Sequence, residues 1–340
     1  MIKNISIKKL FILYNLFIVI LFYIFINGSE NKDKGNYYHD LVKNEDYQNK
    51  SFAIIERRCP HCGLFSFFIV SLGCIHNYLM KGYIPIIDIK SFPNVINGFN
   101  TSHNNYWELF FEQPYGYTLE EVQKNAKNIM HVKCHDCRPR PDDKSFPFND
   151  VRKNFWHNFA NTIYVTKIYL PNIYLPIKKE IIILSNKIMH KLFKNSKNIL
   201  GVLTRGTDYV TLKPRNHPIP PNVSELIYDV KEMDAKYMYD YIFFSTEDDL
   251  IRDKFVKSFP KKVKQIHIKT KIKYNYIKTN FLGYNEEIKG NIEYNKIYLL
   301  NIIILSKCLD IVTARCSGAA GIFILTNGFR NMKIYNLGVY

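Results

Sequence analysis

Residues Gly201–Pro218 read GVLTRGTDYVTLKPRNHP. With Ile199 and Leu200 just ahead of it, the start of this stretch is a short apolar run that stops at Thr204-Arg205-Gly206-Thr207-Asp208. A brief continuous apolar run closed by a polar cluster is the signature of a strand buried in an α/β sheet, and such sheets offer their strand ends to ligands. The cluster brings together a permanent cation, a glycine, two hydroxyls and a carboxylate. Arginine is well suited to a diphosphate, because its planar fork donates several hydrogen bonds and keeps its charge. The competing reading is a surface loop with an ordinary Arg205–Asp208 ion pair, and the motif alone does not separate the two.

Toward the C-terminus the pattern repeats. A long loop and a helix near Ser224–Met233 lead to the strand Tyr241–Phe244, which closes on Ser245-Thr246-Glu247-Asp248-Asp249. A helix over Leu250–Ser258, a strand over Val263–Ile268 and an apolar helix over Glu293–Cys308 follow. The strand Asp310–Thr313, the loop Ala314–Gly318, a helix over Gly318–Leu325 and a last strand at Lys333–Tyr335 complete the series. Alternating βα units of this size predict a parallel sheet covered on both faces. Three strands then end in polar clusters at one sheet edge: Arg205–Asp208, Thr246–Asp249 and Arg315–Ser317. The last opens a helix, whose free N–H groups suit a phosphate.

Toward the N-terminus, Ser51–Glu56 reads as a strand, Leu64–Leu79 as a buried helix and Tyr83–Ile89 as a second strand. Gly63, at the first strand-to-helix junction, is a position where a ligand can approach the backbone. Asn97–Asp150 is irregular in pattern with a short helix near Thr118–Asn128, and Val151–Asn161 and Ile177–Phe193 carry helical periodicity. The polar break Lys194–Asn198 divides an N-terminal lobe, 51–194, from a C-terminal lobe, 195–340.

The chain has 340 residues, 47% of them hydrophobic, enough for a large domain or two ordinary ones. Its formal net charge of +17 admits an anionic partner. The nine lysines between Lys254 and Lys278, however, scatter among Ile, Val and Tyr with no helical stripe, so the charge reads as solvated surface and no nucleic-acid partner is expected. Leu10–Ile26, LFILYNLFIVILFYIFI, spans about 25 Å as a helix and extends through Ile5–Lys9. Lys3, Lys8 and Lys9 precede it, which predicts a cytoplasmic tail (1–9), a signal anchor (10–26) and a polar stem (27–50) with the rest of the chain on the far side, in the ER or Golgi lumen of a eukaryote. A cleavable signal peptide is the rival reading, although no small-residue cleavage site follows.

Cys59 and Cys62 form CPHC, Cys134 and Cys137 form CHDC, and Cys74, Cys308 and Cys316 stand alone. Two Cys-x-x-Cys pairs suit a zinc ion, but their separation exceeds that of zinc ribbons, and disulfides are the default beyond a membrane. Both readings stay open at this point. Triplets at Asn49, Asn100 and Asn222 fit N-glycosylation and arise readily by chance in an Asn-rich chain.

At these residues the chain resembles the fucosyltransferase superfamily of core α1,6-fucosyltransferases, rhizobial nodulation fucosyltransferases and protein O-fucosyltransferases. GVLTRGTDY resembles the family's GVHVRRTDK block, and His217-Pro218-Ile219 repeats the HPI that follows it. FSTEDDLI is similar to the ATDDPSLL strand end, and LLNIIILSKCLDIVTARCSGAAG to the helix–strand–loop that ends in Ser-Ser over the nucleotide. CGLFSFFIVSLGCIHNYLMKGYIPIID resembles the glycine-rich N-terminal segment of microbial members.

The resemblance implies a GT-B-like fold of two Rossmann-like lobes with a cleft between them. It also implies inverting, metal-independent transfer from GDP-fucose to a glycan or protein hydroxyl, with no cofactor beyond the nucleotide-sugar donor. By position, Arg205 grips the β-phosphate and Asp208 braces the loop. Thr246, Glu247 and Asp248 lie near ribose and base, and Ser317 and Gly318 touch the phosphates. Asp208, His217 and Glu247 are the candidates for the base that inverting transfer requires. The chain departs from the family at Leu203 (histidine there), Gly206 (a second arginine) and Asn301 (an acidic residue). Of these departures, Leu203 and Asn301 favour the alternative of an anchored, non-catalytic protein that binds a glycan or nucleotide sugar.

Overall fold

Strand β1 (Ser51–Arg57) lies between β2 (Ile84–Asp88) and β3 (Asn128–Cys134), and both neighbours run parallel to it. A central strand of a covered parallel sheet must be apolar on both faces, and Phe52, Ala53, Ile54 and Ile55 are all buried. These observations come from a computed structural model, which describes residues 46–57, 63–89, 105–134, 177–215, 217–266 and 292–340. The anchor Leu10–Ile26, most of the stem, the helix expected over 151–161 and both cysteine pairs lie outside the described residues, apart from the backbone of Cys134. Among the described residues, no helix is long and apolar enough to cross a membrane.

Helix α1 (Leu64–Met80) follows β1, as its apolar content requires. The outer edge of β2 is satisfied by side chains in place of a strand. The amide of Gln113 accepts from Ile87 N–H and donates to Ile87 C=O, both at 2.9 Å, while Asn105 accepts from Ile89 N–H at 3.0 Å. These two buried amides close an edge that would otherwise be open to pairing. Helix α2 (Leu119–Asn125) starts at a reciprocal cap, in which Thr118 accepts from Glu121 N–H and Glu121 from Thr118 N–H.

The sequence pattern left 97–150 irregular, yet β3 lies within it and pairs with β1 along seven residues. It is an edge strand with Met130 and His131 exposed, so its composition carries no continuous apolar run. Helix α3 (Lys179–Phe193) ends at Lys194 in the left-handed conformation (φ 48°), at the break expected there.

The second sheet has the order β6-β5-β4-β7-β8, all parallel: β4 (Ile199–Leu203), β5 (Tyr241–Ser245), β6 (Val263–Lys264), β7 (Asp310–Ala314) and β8 (Met332–Tyr335). One face packs on α5 (Val223–Tyr237) and α6 (Asp249–Ser258), burying Leu200, Val202, Ile242, Phe244 and Val312 with Leu226, Val230 and Phe255. Phe244 and Phe255 stack with ring centres 3.9 Å apart. Helix α7 (Ile292–Leu305) is buried from Leu299 to Leu305, and a side chain at Gly201 would run into Leu305 and Ile311 at 3.1 and 2.9 Å.

Two expectations change here. The long loop after Thr204 contains a helix, α4 (Thr207–Leu212), and the strand expected over 263–268 is paired only at Val263–Lys264. Helix α8 (Ser317–Leu325) follows β7 and packs on α1, where the Phe65 ring fills the space a Gly321 side chain would need. Both sheets belong to one compact unit, 45–340. At the far end of β7, fully buried Asp310 is clamped by Arg330, Tyr239 and Asn331.

Candidate functional site

In the second sheet the chain moves from β4 outward through β5 to β6, then returns to the other side of β4 for β7 and β8. The order therefore reverses between β4 and β7, and the loops after those strands must part and leave a crevice at the carboxyl edge. Arg205 follows β4 on one side of that crevice, and Arg315, Cys316 and the start of α8 follow β7 on the other.

The Arg205 guanidinium lies 4.2 Å from the ring centre of Tyr209, in α4, and its Nε is 3.2 Å from Glu247 Oε1. The same carboxylate oxygen accepts the Gly206 N–H at 3.2 Å. Stacking and the partly buried ion pair both hold the cation in place, each stronger here than at a fully wet surface. Glu247 comes from the end of β5, so the strand-end clusters expected to converge at β4 and β5 do meet.

Thr246 and Asp248 build the local frame. Thr246 Oγ1 accepts the Asp248 N–H at 3.2 Å. Asp248 Oδ1 caps α6, accepting from Leu250 N–H and Ile251 N–H at 2.9 and 3.0 Å. A Cβ at Gly206 would collide with the Asp248 carboxylate and stand 2.6 Å from Ile251 Cδ1. Glycine is thus the residue this packing admits where the resembling family carries a second arginine.

Across the crevice, Cys316 is the N-cap of α8, its Sγ accepting from Ala319 N–H at 3.4 Å. Ser317 and Gly318 open the helix. Gly318 lies against the Tyr298 hydroxyl so closely that a side chain there would overlap it. Burial pushes the Tyr298 hydroxyl well above its ordinary pKa, with a smaller contribution from Cys316 and an opposing one from Arg205. Burial likewise raises the Cys316 thiol, against the pull of Arg205. Burial thus favours the protonated thiol, which serves here as the cap of α8. These mutual influences set Arg205, Glu247, Tyr298 and Cys316 in one neighbourhood at the N-terminus of α8.

His217 stands edge-on to Tyr209, ring centres 5.3 Å apart, with Nδ1 3.1 Å from Arg215 C=O. Tyr209 thus touches both Arg205, over its ring, and His217, edge-on, and joins two of the expected site residues. Asp208 falls in the first turn of α4, and its side chain lies outside the described residues. Gly63 is exposed at the start of α1, in the other sheet's layer, with nothing within 4 Å of where its Cβ would be. Asn301 is buried on α7, its Nδ2 donating to Ile266 C=O at 3.4 Å. Among the described residues, no group of three or more His, Cys, Asp or Glu side chains is placed to hold a metal ion.

Sequence reasoning passed over two residues. Tyr298 sits inside an apolar helix and carries no motif. Arg315 was noticed only as part of a strand end, yet it is 7% exposed, and its Nε and Nη1 make no hydrogen bond among the described residues.

Against solved structures, POFUT1 in complex with GDP-fucose matches with a TM-score of 0.50 at 10% identity, over 86% of this chain and 99% of that one. The fold is fucosyltransferase-like. NodZ alpha-1,6-fucosyltransferase soaked with GDP-fucose matches with a TM-score of 0.46 at 13% identity, over 82% of this chain and 93% of that one. The fucosyltransferase NodZ from Bradyrhizobium gives 0.46 at 14%, over 82% and 94%. No family model and no curated protein sequence matches the chain.

Proposed function

We propose that this chain is a glycosyltransferase that takes a sugar from a GDP-linked donor, GDP-fucose foremost, and transfers it with inversion and without a metal ion to a hydroxyl of a glycan or protein. Leu10–Ile26 would anchor it as a single-pass type II membrane protein, with the lobes 51–194 and 195–340 on the non-cytoplasmic side. The observation that carries the reading is Arg205, fixed by Tyr209 and Glu247, standing near the N-terminus of α8 at the point where the strand order reverses. Such a crevice suits a diphosphate between a fixed cation and a helix N-terminus.

As the bond from the anomeric carbon to the β-phosphate oxygen lengthens, negative charge grows on the departing GDP. Arg205 and the first N–H groups of α8, at Ser317 and Gly318, would stabilise that charge before water can. Thr246, Glu247 and Asp248 would border the nucleoside. The acceptor hydroxyl attacks from the opposite face and its proton must go to a base. Glu247 is engaged by Arg205 and Gly206, which leaves Asp208 and His217 as the candidates.

The test is thermal stabilisation of the full-length, detergent-solubilised protein by a panel of nucleotide sugars, followed by a transfer assay with the best of them. GDP and GDP-fucose should raise the Tm, and other nucleotides should not. Absence of stabilisation by any GDP-linked compound would sink the reading. Stabilisation without transfer or hydrolysis would instead support a binding protein, the reading that Leu203 and Asn301 favour.

A further inference from the structure

We infer that Arg315 is a second phosphate-binding cation of this site, facing Arg205 across the crevice between β4 and β7. The inference rests on the nucleotide-sugar reading and deepens it.

Leu203 pairs with Thr313 at the carboxyl edge of the sheet, and Arg205 and Arg315 each follow two residues later, in the loops that leave these neighbouring parallel strands. Arg315 immediately precedes Cys316, the cap of α8, and so stands beside that helix's N-terminus. It is more than nine-tenths buried, and its Nε and Nη1 have no partner among the described residues. Burial draws its pKa down, as expected for a cation removed from water. An uncompensated buried charge is costly, and apolar residues of similar size usually fill such positions better. Glu247 already pairs with Arg205, but the further guanidinium of Arg315 beside a helix N-terminus leaves the crevice with surplus positive charge that a second anion would offset. A diphosphate supplies that anion. Arg315 also offers an answer to the blocked Gly206 position: the second cation comes from β7, because Asp248 and Ile251 leave no room for one after β4.

The experiment compares the full-length protein with Arg315→Met, which keeps the length and removes the charge, and with Arg315→Lys. Each is titrated with GDP, GMP and inorganic pyrophosphate, by calorimetry and thermal shift. Arg315→Met should leave the ligand-free Tm equal to or above that of the wild type. It should weaken GDP binding at least tenfold and GMP binding clearly less, with Arg315→Lys falling between. Unchanged GDP affinity in Arg315→Met, with Arg205→Ala losing it, overturns the inference and leaves the functional reading intact. A lower ligand-free Tm with unchanged affinity also overturns it, since Arg315 would then be structural. If GDP binds no variant but pyrophosphate stabilises the wild type and not Arg315→Met, the nucleotide reading fails and the anion site stands. If neither ligand binds the wild type, both fail. Should Arg315→Met not fold, a loss of GDP affinity below threefold in Arg315→Lys counts against the inference.

Discussion

Arg205 and Glu247, which follow adjacent strands, meet at 3.2 Å, and the same Glu247 oxygen holds the Gly206 backbone. One carboxylate therefore fixes both the direction of the cation and the path of the loop that carries it. Arg205→Ala should lower transfer by about a hundredfold to a thousandfold, the range found when one donor to a developing anion is removed. Arg205→Lys should recover little, because an ammonium cannot reproduce the fork or its stacking on Tyr209. Glu247→Ala should weaken GDP binding by about tenfold, equivalent to about 1.4 kcal/mol, by releasing Arg205. Calorimetric affinities and initial rates read these effects, and a Glu247→Ala protein that binds GDP as the wild type does would show that the pair does not position the cation.

Gly206 and Asp248 make a second coupled pair. Gly206→Ala places a methyl group against the Asp248 carboxylate and should destabilise by about 1–3 kcal/mol, as overpacking does. Asp248→Ala alone loses the α6 cap, at about 1 kcal/mol. The double variant should cost less than the two single costs added together, because removing the carboxylate makes the room. Urea denaturation of the three proteins measures the coupling, and strict additivity would remove the steric explanation.

The contact between α1 and α8 hinges on Phe65 lying over Gly321, with the same ring edge-on to Tyr298 at a centroid distance of 5.5 Å. Gly321→Val should destabilise by about 3 kcal/mol, the upper end of ordinary overpacking. Combining it with Phe65→Ala should recover part of that loss, at the expense of apolar burial. Chemical denaturation gives the stability, and nucleotide affinity tells whether the disturbance reaches the start of α8, one helical turn away.

Asp310 sets a pH dependence of stability. Burial alone would raise its pKa, but hydrogen bonds from Arg330, Tyr239 and Asn331 outweigh it, so the carboxyl sits below its ordinary 3.8. A depressed folded-state pKa contributes stability that is complete above the unfolded value and is lost as pH falls through the folded one. Asp310→Asn should therefore reduce stability at neutral pH and flatten the loss of Tm below about pH 4. An acid limb of unchanged slope in the variant would assign that limb to other carboxylates.

Much of the fold was legible because buried parallel strands must be apolar on both faces. ILGVL, YIFF and DIVT name themselves as strands, and each is followed by polar residues where the sheet ends. Their helices announced themselves by length and periodicity. Strand β3 did not, since an edge strand with an exposed face keeps residues such as His131. Nor did α4, whose six residues are too few for a period of 3.6 to show.

The sequence by itself thus determined the layered α/β architecture and pointed to Arg205, Glu247 and Ser317 as residues at strand ends. Tertiary structure decided the order β6-β5-β4-β7-β8, and with it which strand ends share a crevice. Neither the placement of Arg315 beside β4, the commitment of Asp248 to a helix cap, nor the closeness of Tyr298 to Gly318 has a local signal. Each depends on register and packing between segments tens of residues apart or more, and hydrophobic periodicity along one segment says nothing about which other segment will cover it.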